Sequence, residues 1–255
     1  MKSETQQDPY HPPAASTGPS GGPPRAQPVS AGNAVLWLSE AWTLFRASPA
    51  LLILLWLVQL LIMAAANLVP LAGTLLMPGL MAGFLLGIAG LDHGRPLALE
   101  TLIAGFKSHP GPLLVLGALL LLLGLLAVMV GGTLLAVAFT AMASDSGAGL
   151  MLGTLLILPV LVGAFLLLVL AMWWAPGLVV LHHLAPGVAL RLALRGITLN
   201  LLPVLVYGLI LLLLYLLVVI TAGLAALVVG PLVIITAYTS YRDIFQHPAT
   251  TDQNR

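Results

Sequence analysis

The sequence predicts an all-α integral membrane protein with six transmembrane helices. They form three hairpins, each preceded by a short amphipathic helix on the cytoplasmic side. Three observations predict it. The composition is 60% hydrophobic and 7% charged, with a mean hydropathy of +1.09, whereas soluble domains carry roughly 25% charged residues. The block from Leu201 to Tyr241 holds no charge and is about twice the roughly 20 residues that cross a bilayer. The nine Lys and Arg residues fall only in alternate connections.

Residues 1–32 are rich in Pro, Gly, Ser and Gln and almost lack large apolar side chains. Such a segment buries too little surface to offset its ordering entropy, so a disordered tail is expected. It has no early apolar run and so does not read as an ordinary signal peptide. Ala64-Ala65-Ala66 resembles a cleavage site, but the long polar leader favours an uncleaved anchor. Asn33 is read as the cap of an amphipathic run, AVLWLSEAWTLFRAS, with Glu40, Thr43 and Arg46 on one side and Leu38, Trp42 and Phe45 on the other. Pro49 stops it, and residues 50–69 form the first span.

Pro70 turns the chain into a second span at 72–91. There Gly79, Gly83 and Gly87 recur at i, i+4, i+8, a doubled GxxxG that lets a neighbouring helix approach backbone to backbone. The neighbour is either within the subunit or in a homo-oligomer. After the loop Asp92–Pro96, LALETLIAGFKS reads as a second amphipathic helix with Glu100 and Lys107 on its polar side. Residues 113–143 are apolar throughout. One helix of that length would run about 46 Å, against a hydrocarbon core of roughly 30 Å. The third span is therefore taken as 113–135, ending near Gly131-Gly132, with Ser144 to Ala148 as the turn. The fourth span, 150–173, is expected to kink at Pro159 and to place Trp173 and Trp174 at the membrane interface. The third amphipathic segment, PGVALRLALRGITLN, carries Arg191, Arg195 and Thr198 at i, i+4, i+7. Spans 202–220 and 223–241 follow, separated by Thr221-Ala222-Gly223. Residues 33–245 thus form one membrane domain, and 246–255 a short polar tail.

The basic residues are Lys2, Arg25 and Arg46, then Arg95 and Lys107, then Arg191 and Arg195, then Arg242 and Arg255. The first, third and fifth loops hold none. Lys and Arg are retained on the cytoplasmic side, so both termini and all three amphipathic helices are expected there. The first and third hairpins share a Pro-Gly or Gly-Pro pair in their second helix (Pro78-Gly79 and Gly230-Pro231). Internal duplication and generic helix-hairpin composition both account for it.

WWAPGLVVLHHLAPGVALRLALRGITLN, LPVLVYG and VVGPLVIITAYTSYRDIF together resemble the C-terminal half of an uncharacterised family of bacterial six-helix integral membrane proteins. EAWTLFRASPALLILL and PGLMAGF resemble its opening. The resemblance covers about residues 33–245, and SYRDIF is its most specific piece. More distantly, the Arg…Asn, hairpin, Gly-Pro arrangement is similar to the membrane domain attached to some glycerophosphodiester phosphodiesterases, which is not their catalytic domain. The resemblance implies a bacterial cytoplasmic (inner) membrane protein and carries over no catalytic residue.

Without cysteine, disulfide and thiolate chemistry are excluded, and no basic cluster exists to bind nucleic acid. His93, His109, His182, His183 and His247 all fall on the expected cytoplasmic side. Adjacent His182 and His183 would point about 100° apart on a helix, and no metal-ligand spacing supports them, so neither metal nor cofactor is expected. The polar residues inside the spans are few, among them Gln59, Asn67, Tyr207 and Tyr215. No ionisable residue falls near a bilayer midplane, which argues against an ion-coupled pump, and no intramembrane-protease motif is present. Arg46, Lys107, Arg191 and Arg195 sit on short helices where anionic headgroups concentrate, so each is a candidate contact for anionic lipid or simply a topology marker. Two functions fit: a non-enzymatic protein that organises or assists membrane partners, and a transporter or facilitator of a small or lipid-like solute. The scarcity of polar groups in the spans favours the first.

Overall fold

The computed structural model describes residues 24–142 and 148–246, and every regular element among them is a helix. Helix α1 (Asn33–Ala47) buries Ala34, Trp37, Ala41 and Phe45, a stripe at helical spacing that packs on the last helix of the chain. Trp42 is 43% exposed, so the expected face through Leu38 and Trp42 is displaced toward Trp37. The run is apolar on most sides, and the partner decides which side is buried. Asn33 does not cap this helix; it is the first helical residue, and its side-chain amide donates to Asp243.

Helix α2 (Pro49–Ala66) starts on proline at its first turn, where a missing N–H costs nothing. A turn through Leu71, which takes a left-handed φ of 69°, leads to α3 (Ala72–Asp92). α3 is the centre of the molecule. Of its apolar stretch 67% is buried, against 11% in α2 and 17% in the fifth helix. Its glycines and alanines permit this, because in a bilayer helices associate through close backbone approach rather than through exclusion of water.

Helix α4 (Thr101–Ser108) lies across α3. α5 (Pro110–Met142) is a single helix of 33 residues that passes through Gly131 and Gly132. The glycine pair does not end it; in hydrocarbon an opened backbone amide has no water to bond, so the ladder is kept. α6 (Ala148–His182) runs 35 residues through Pro159 and Pro176, well past Trp173. Trp174 is buried, donates its indole N–H to Ser240 Oγ at 3.0 Å, and meets Phe245 edge-on. It belongs to the core and not to an interfacial belt. The turn expected from Ser144 lies outside the described residues up to Ala148, as do 1–23 and 247–255 of the two expected tails.

Helix α7 (Pro186–Leu199) is separated from α8 (Leu201–Ile220) by Asn200 alone. The chain then turns through Ala222 and Gly223, both at positive φ (50° and 92°). Thr221 Oγ1 accepts from the Ala225 amide across that turn. α9 (Ala226–Phe245) therefore begins three residues later than the sixth expected span. Among the described residues α2, α3, α5 (Pro110–Thr140) and α8 are long and apolar enough to cross a membrane. Their outer faces expose Leu61, Val128, Met129, Leu212, Leu213 and Ile220, a belt that suits lipid and not water. The second half of α9 is more polar, and Thr236, Thr239 and Ser240 are buried there.

Residues 24–32, placed by composition in the disordered tail, form a strap against the bundle. The Gln27 amide donates to Ile244 O and its side chain to Asp243 O. Two of the carbonyls that end α9 without an intrahelical partner are satisfied in this way.

Candidate functional site

The densest polar chemistry gathers where the ends of α3 and α9 meet the first half of α1, and SYRDIF supplies most of it. Tyr238 and Arg242 stand one turn apart on α9 and share a face. Both reach Asp92, the last residue of α3: the Tyr238 hydroxyl donates to Oδ2 at 2.9 Å and Arg242 Nη1 to the same oxygen at 2.6 Å. Arg242 Nη2 donates to Glu40 Oε2 of α1, also at 2.6 Å. Burial works against the charge of Arg242, but the hydrogen bond and charge of Asp92, helped by Glu40, prevail and push its pKa above the usual guanidinium value. One guanidinium thus ties three helices.

Asp243 points to the other side of the same turn. Its Oδ2 accepts from Asn33 Nδ2 at 2.8 Å and from the Trp37 indole at 2.7 Å, residues one turn apart on α1. Thr239 Oγ1 donates to the Trp37 carbonyl. Between them lies a cleft lined by Asn33, Leu36, Trp37, Glu40, Arg242 and Asp243, with room of about 40 Å³, enough for one or two waters.

Asn200 extends the network to α7 and α8. It is fully buried; Oδ1 accepts from the Val29 amide at 2.7 Å, and Nδ2 donates to Gln27 O and Gly196 O, each at 2.9 Å. A buried amide with three partners is satisfied, and it locks the strap onto the α7–α8 corner.

The histidines divide. His109, at the α4–α5 junction, meets His183 just past α6, Nε2 to Nδ1 at 2.8 Å. His183 holds a left-handed φ of 54° to do so. The His182 ring lies against Tyr241. Burial first, and then the charge of His183, hold both His109 and His182 below the ordinary imidazole pKa. Among the described residues no group of three ligating side chains could hold a metal ion.

Of the residues singled out in the sequence, Gly79, Gly83 and Gly87 lie under the amphipathic helix α4 and the segment that leads into it. A Cβ at Gly79 would strike the Phe106 ring, at Gly83 the Thr101 and Leu102 carbonyls, and at Gly87 the side chains of Leu97 and Thr101. In return, a Cβ at Gly105 would strike the backbone of Gly79 and Gly83. The four cations Arg46, Lys107, Arg191 and Arg195 are exposed and dispersed over three helices. The structure does not bring them into one site. The hub around Arg242 was missed among them. Its signal was present: an adjacent Arg-Asp pair closing an otherwise uncharged span, with Asp92 and Glu40 at the same expected level.

No family model matches the chain, and no solved structure matches it. The chain is similar to probable inner membrane protein BTH_II0599 of Burkholderia thailandensis, 33% identical over 199 residues, covering 71% of this chain and 73% of the relative. That likeness extends over most of both chains and agrees with the apolar helices α2, α3, α5 and α8. The chain belongs to the same family as this probable inner membrane protein.

Proposed function

We propose that the chain is a non-enzymatic, multi-pass protein of the bacterial inner membrane that organises or assists other membrane components. Its six spans form three hairpins, and both termini are cytoplasmic. The observation that carries this reading is how the hub is used. Arg242, Asp92, Glu40, Asp243 and Tyr238 are each engaged with a partner on another helix. That chemistry holds α1, α3 and α9 together; what faces outward is an apolar belt and a set of cations. Contacts of α2 with α3, α5 with α6 and α8 with α9 support the hairpins. α6 carries no Lys, Arg, Asp or Glu, and α9 is 20 residues long, about 30 Å, so both are long enough to complete the six. The likeness to the membrane domain of glycerophosphodiester phosphodiesterases belongs to the same reading, as a shared non-catalytic arrangement.

Because the chain has no cysteine, single-cysteine labelling is clean. A cysteine at residue 145 should label from outside the cell, and one at Gly94 or Gly187 only from inside. For the role itself, the full chain is crosslinked in native membrane and its protein partners are quantified. A reproducible partner at fixed stoichiometry is expected; saturable solute flux into proteoliposomes without one would reassign the chain as a facilitator.

A further inference from the structure

We propose that α7 carries a binding site for the phosphate of an anionic phospholipid, formed by Arg191 and Arg195 with Thr198 at its edge. The four candidate cations, all exposed, are not equivalent. Arg46 and Lys107 sit in the last turns of α1 and α4, where a cation offsets the carbonyl end of its own helix. Arg191 and Arg195 have no such role, since the last turn of α7 holds no basic residue. Among the described residues the Lys and Arg ion pairs are those of Arg242 alone, so no carboxylate holds these two arginines.

The helix cannot roll to hide them. Ala189, Leu190, Ala193, Gly196 and Ile197 are buried on its inner face, and a Cβ at Gly196 would press on the Phe245 ring. Arg191 Nε donates back to Gly187 O at 3.1 Å. That bond fixes the stem and leaves the two terminal amino groups for a phosphate, which guanidinium binds through paired hydrogen bonds. Arg195 follows one turn later on the same face, and Thr198 one turn beyond it.

Depth selects a lipid over a soluble phosphate. The apolar helix α8 begins at Leu201, and Leu199, Leu201 and Leu202 are exposed where it follows α7. Asn200 breaks the helix between α7 and α8, so Arg195 sits on the helix that leads directly into an apolar one, at the level where a bilayer places its headgroups. An arginine face flanked by exposed leucines is what an interfacial helix presents to an anionic leaflet. A free phosphate would use the arginines and leave the leucines in water.

This inference rests on the cytoplasmic placement of α7 proposed above, and the experiment separates the two. Native mass spectrometry of the full chain in mild detergent is run with phosphatidylglycerol, with phosphatidylethanolamine, and with excess inorganic phosphate as competitor. The proteins are the parent, R191Q/R195Q, and R46Q/K107Q as control. The α7 pair should lower phosphatidylglycerol occupancy on the order of tenfold, with phosphatidylethanolamine unchanged, the control pair near the parent, and inorganic phosphate a poor competitor. Equal phosphatidylglycerol occupancy in R191Q/R195Q overturns the site. So does an equal loss in the control, or displacement by inorganic phosphate as effective as that by added phosphatidylglycerol. Gly187→Cys labelling is read on the same proteins; labelling from outside overturns the placement and the site together, whereas inside labelling with unchanged occupancy overturns the site alone.

Discussion

Arg242→Gln is the perturbation that tests the hub most directly. It removes the only cation paired with Asp92 and Glu40 among the described residues and keeps a polar side chain. The two bonds it loses are not equal. Arg242 and Asp92 are 27% and 20% exposed, whereas Glu40 is 47% exposed. A hydrogen bond to a charged group contributes about 1.5–3 kcal/mol when shielded, and an exposed ion pair about 0–1 kcal/mol. R242Q should therefore cost about 2–3 kcal/mol, Asp92→Asn about 2 kcal/mol, and Glu40→Gln less than about 1 kcal/mol. Tyr238 still donates to Asp92 in the R242Q protein, which keeps the loss from being larger. Double-mutant cycles on unfolding in mild detergent give the couplings. Arg242 with Asp92 should couple by about 1–2 kcal/mol, and Arg242 with Glu40 by no more than about 0.5 kcal/mol. If the Glu40 coupling equals or exceeds that of Asp92, then Asp92 is not the anchor and the reasoning from burial fails.

Further outcomes follow from other contacts. Gly83→Ala should cost about 1–3 kcal/mol, because the new methyl meets the Thr101 and Leu102 carbonyls. Gly124→Ala in α5, with open space around it, should be neutral or slightly stabilising in the same thermal assay. Asn200→Ala should lower stability by about 2 kcal/mol, and removal of residues 1–32 should lower it similarly while leaving insertion intact; an unchanged melting temperature in the truncated chain would mean the strap holds nothing. Burial, and then the charge of His183, hold His109 and His182 below the ordinary imidazole pKa in the folded chain. Their contribution is therefore intact above about pH 6.5 and is lost as pH falls through the lowered folded values. A melting temperature that declines below that pH in the parent, but less so in His109→Gln/His182→Gln, is expected.

Much of the helical layout was legible because it depends on local chemistry. Pro49 and Pro186 mark helix starts, and Thr221-Ala222-Gly223 marks a turn that needs positive φ. What was not legible depends on partners distant in sequence. Gln27 meets Asn200 across 173 residues, and composition averaged over 1–32 carries no trace of that pairing. The sequence favours a face of α1 through Leu38, Trp42 and Phe45, yet Trp37 fits an apolar stripe as well, and contact with α9 selects it. Gly131-Gly132 reads as a break by water-based propensity, yet a bilayer reverses the preference. The glycine stripe on α3 was visible, but that its occupant is the short α4 was not. The hub stayed hidden for a related reason: Glu40, Asp92 and Arg242 each look like an ordinary span-end charge until three helices are brought together.

The three amphipathic helices now separate into two kinds. α1 inserts Trp37 against Tyr207 and Thr239 and begins at the hub. α4 is keyed into α3 where Gly105 meets Gly79 and Gly83. Both behave as wedges between helices, and their cations, Arg46 and Lys107, lie at their own carbonyl ends. α7 is different: its inner face is buried, and its arginines are mid-helix, with no ion pair among the described residues. In a bilayer no water drives helices together, so small-residue contacts and polar ties must define the fold. Here Gly83 with Gly105, Arg242 with Asp92, and Asn200 with the strap supply them. Arg242, Asp92, Asp243 and Asn200 are thus engaged in holding helices and strap to one another. The arginines of α7 stay exposed and take no part in those ties, so R191Q/R195Q should leave the unfolding of the bundle in mild detergent unchanged, and a large loss of stability would mean that α7 too is held through its arginines.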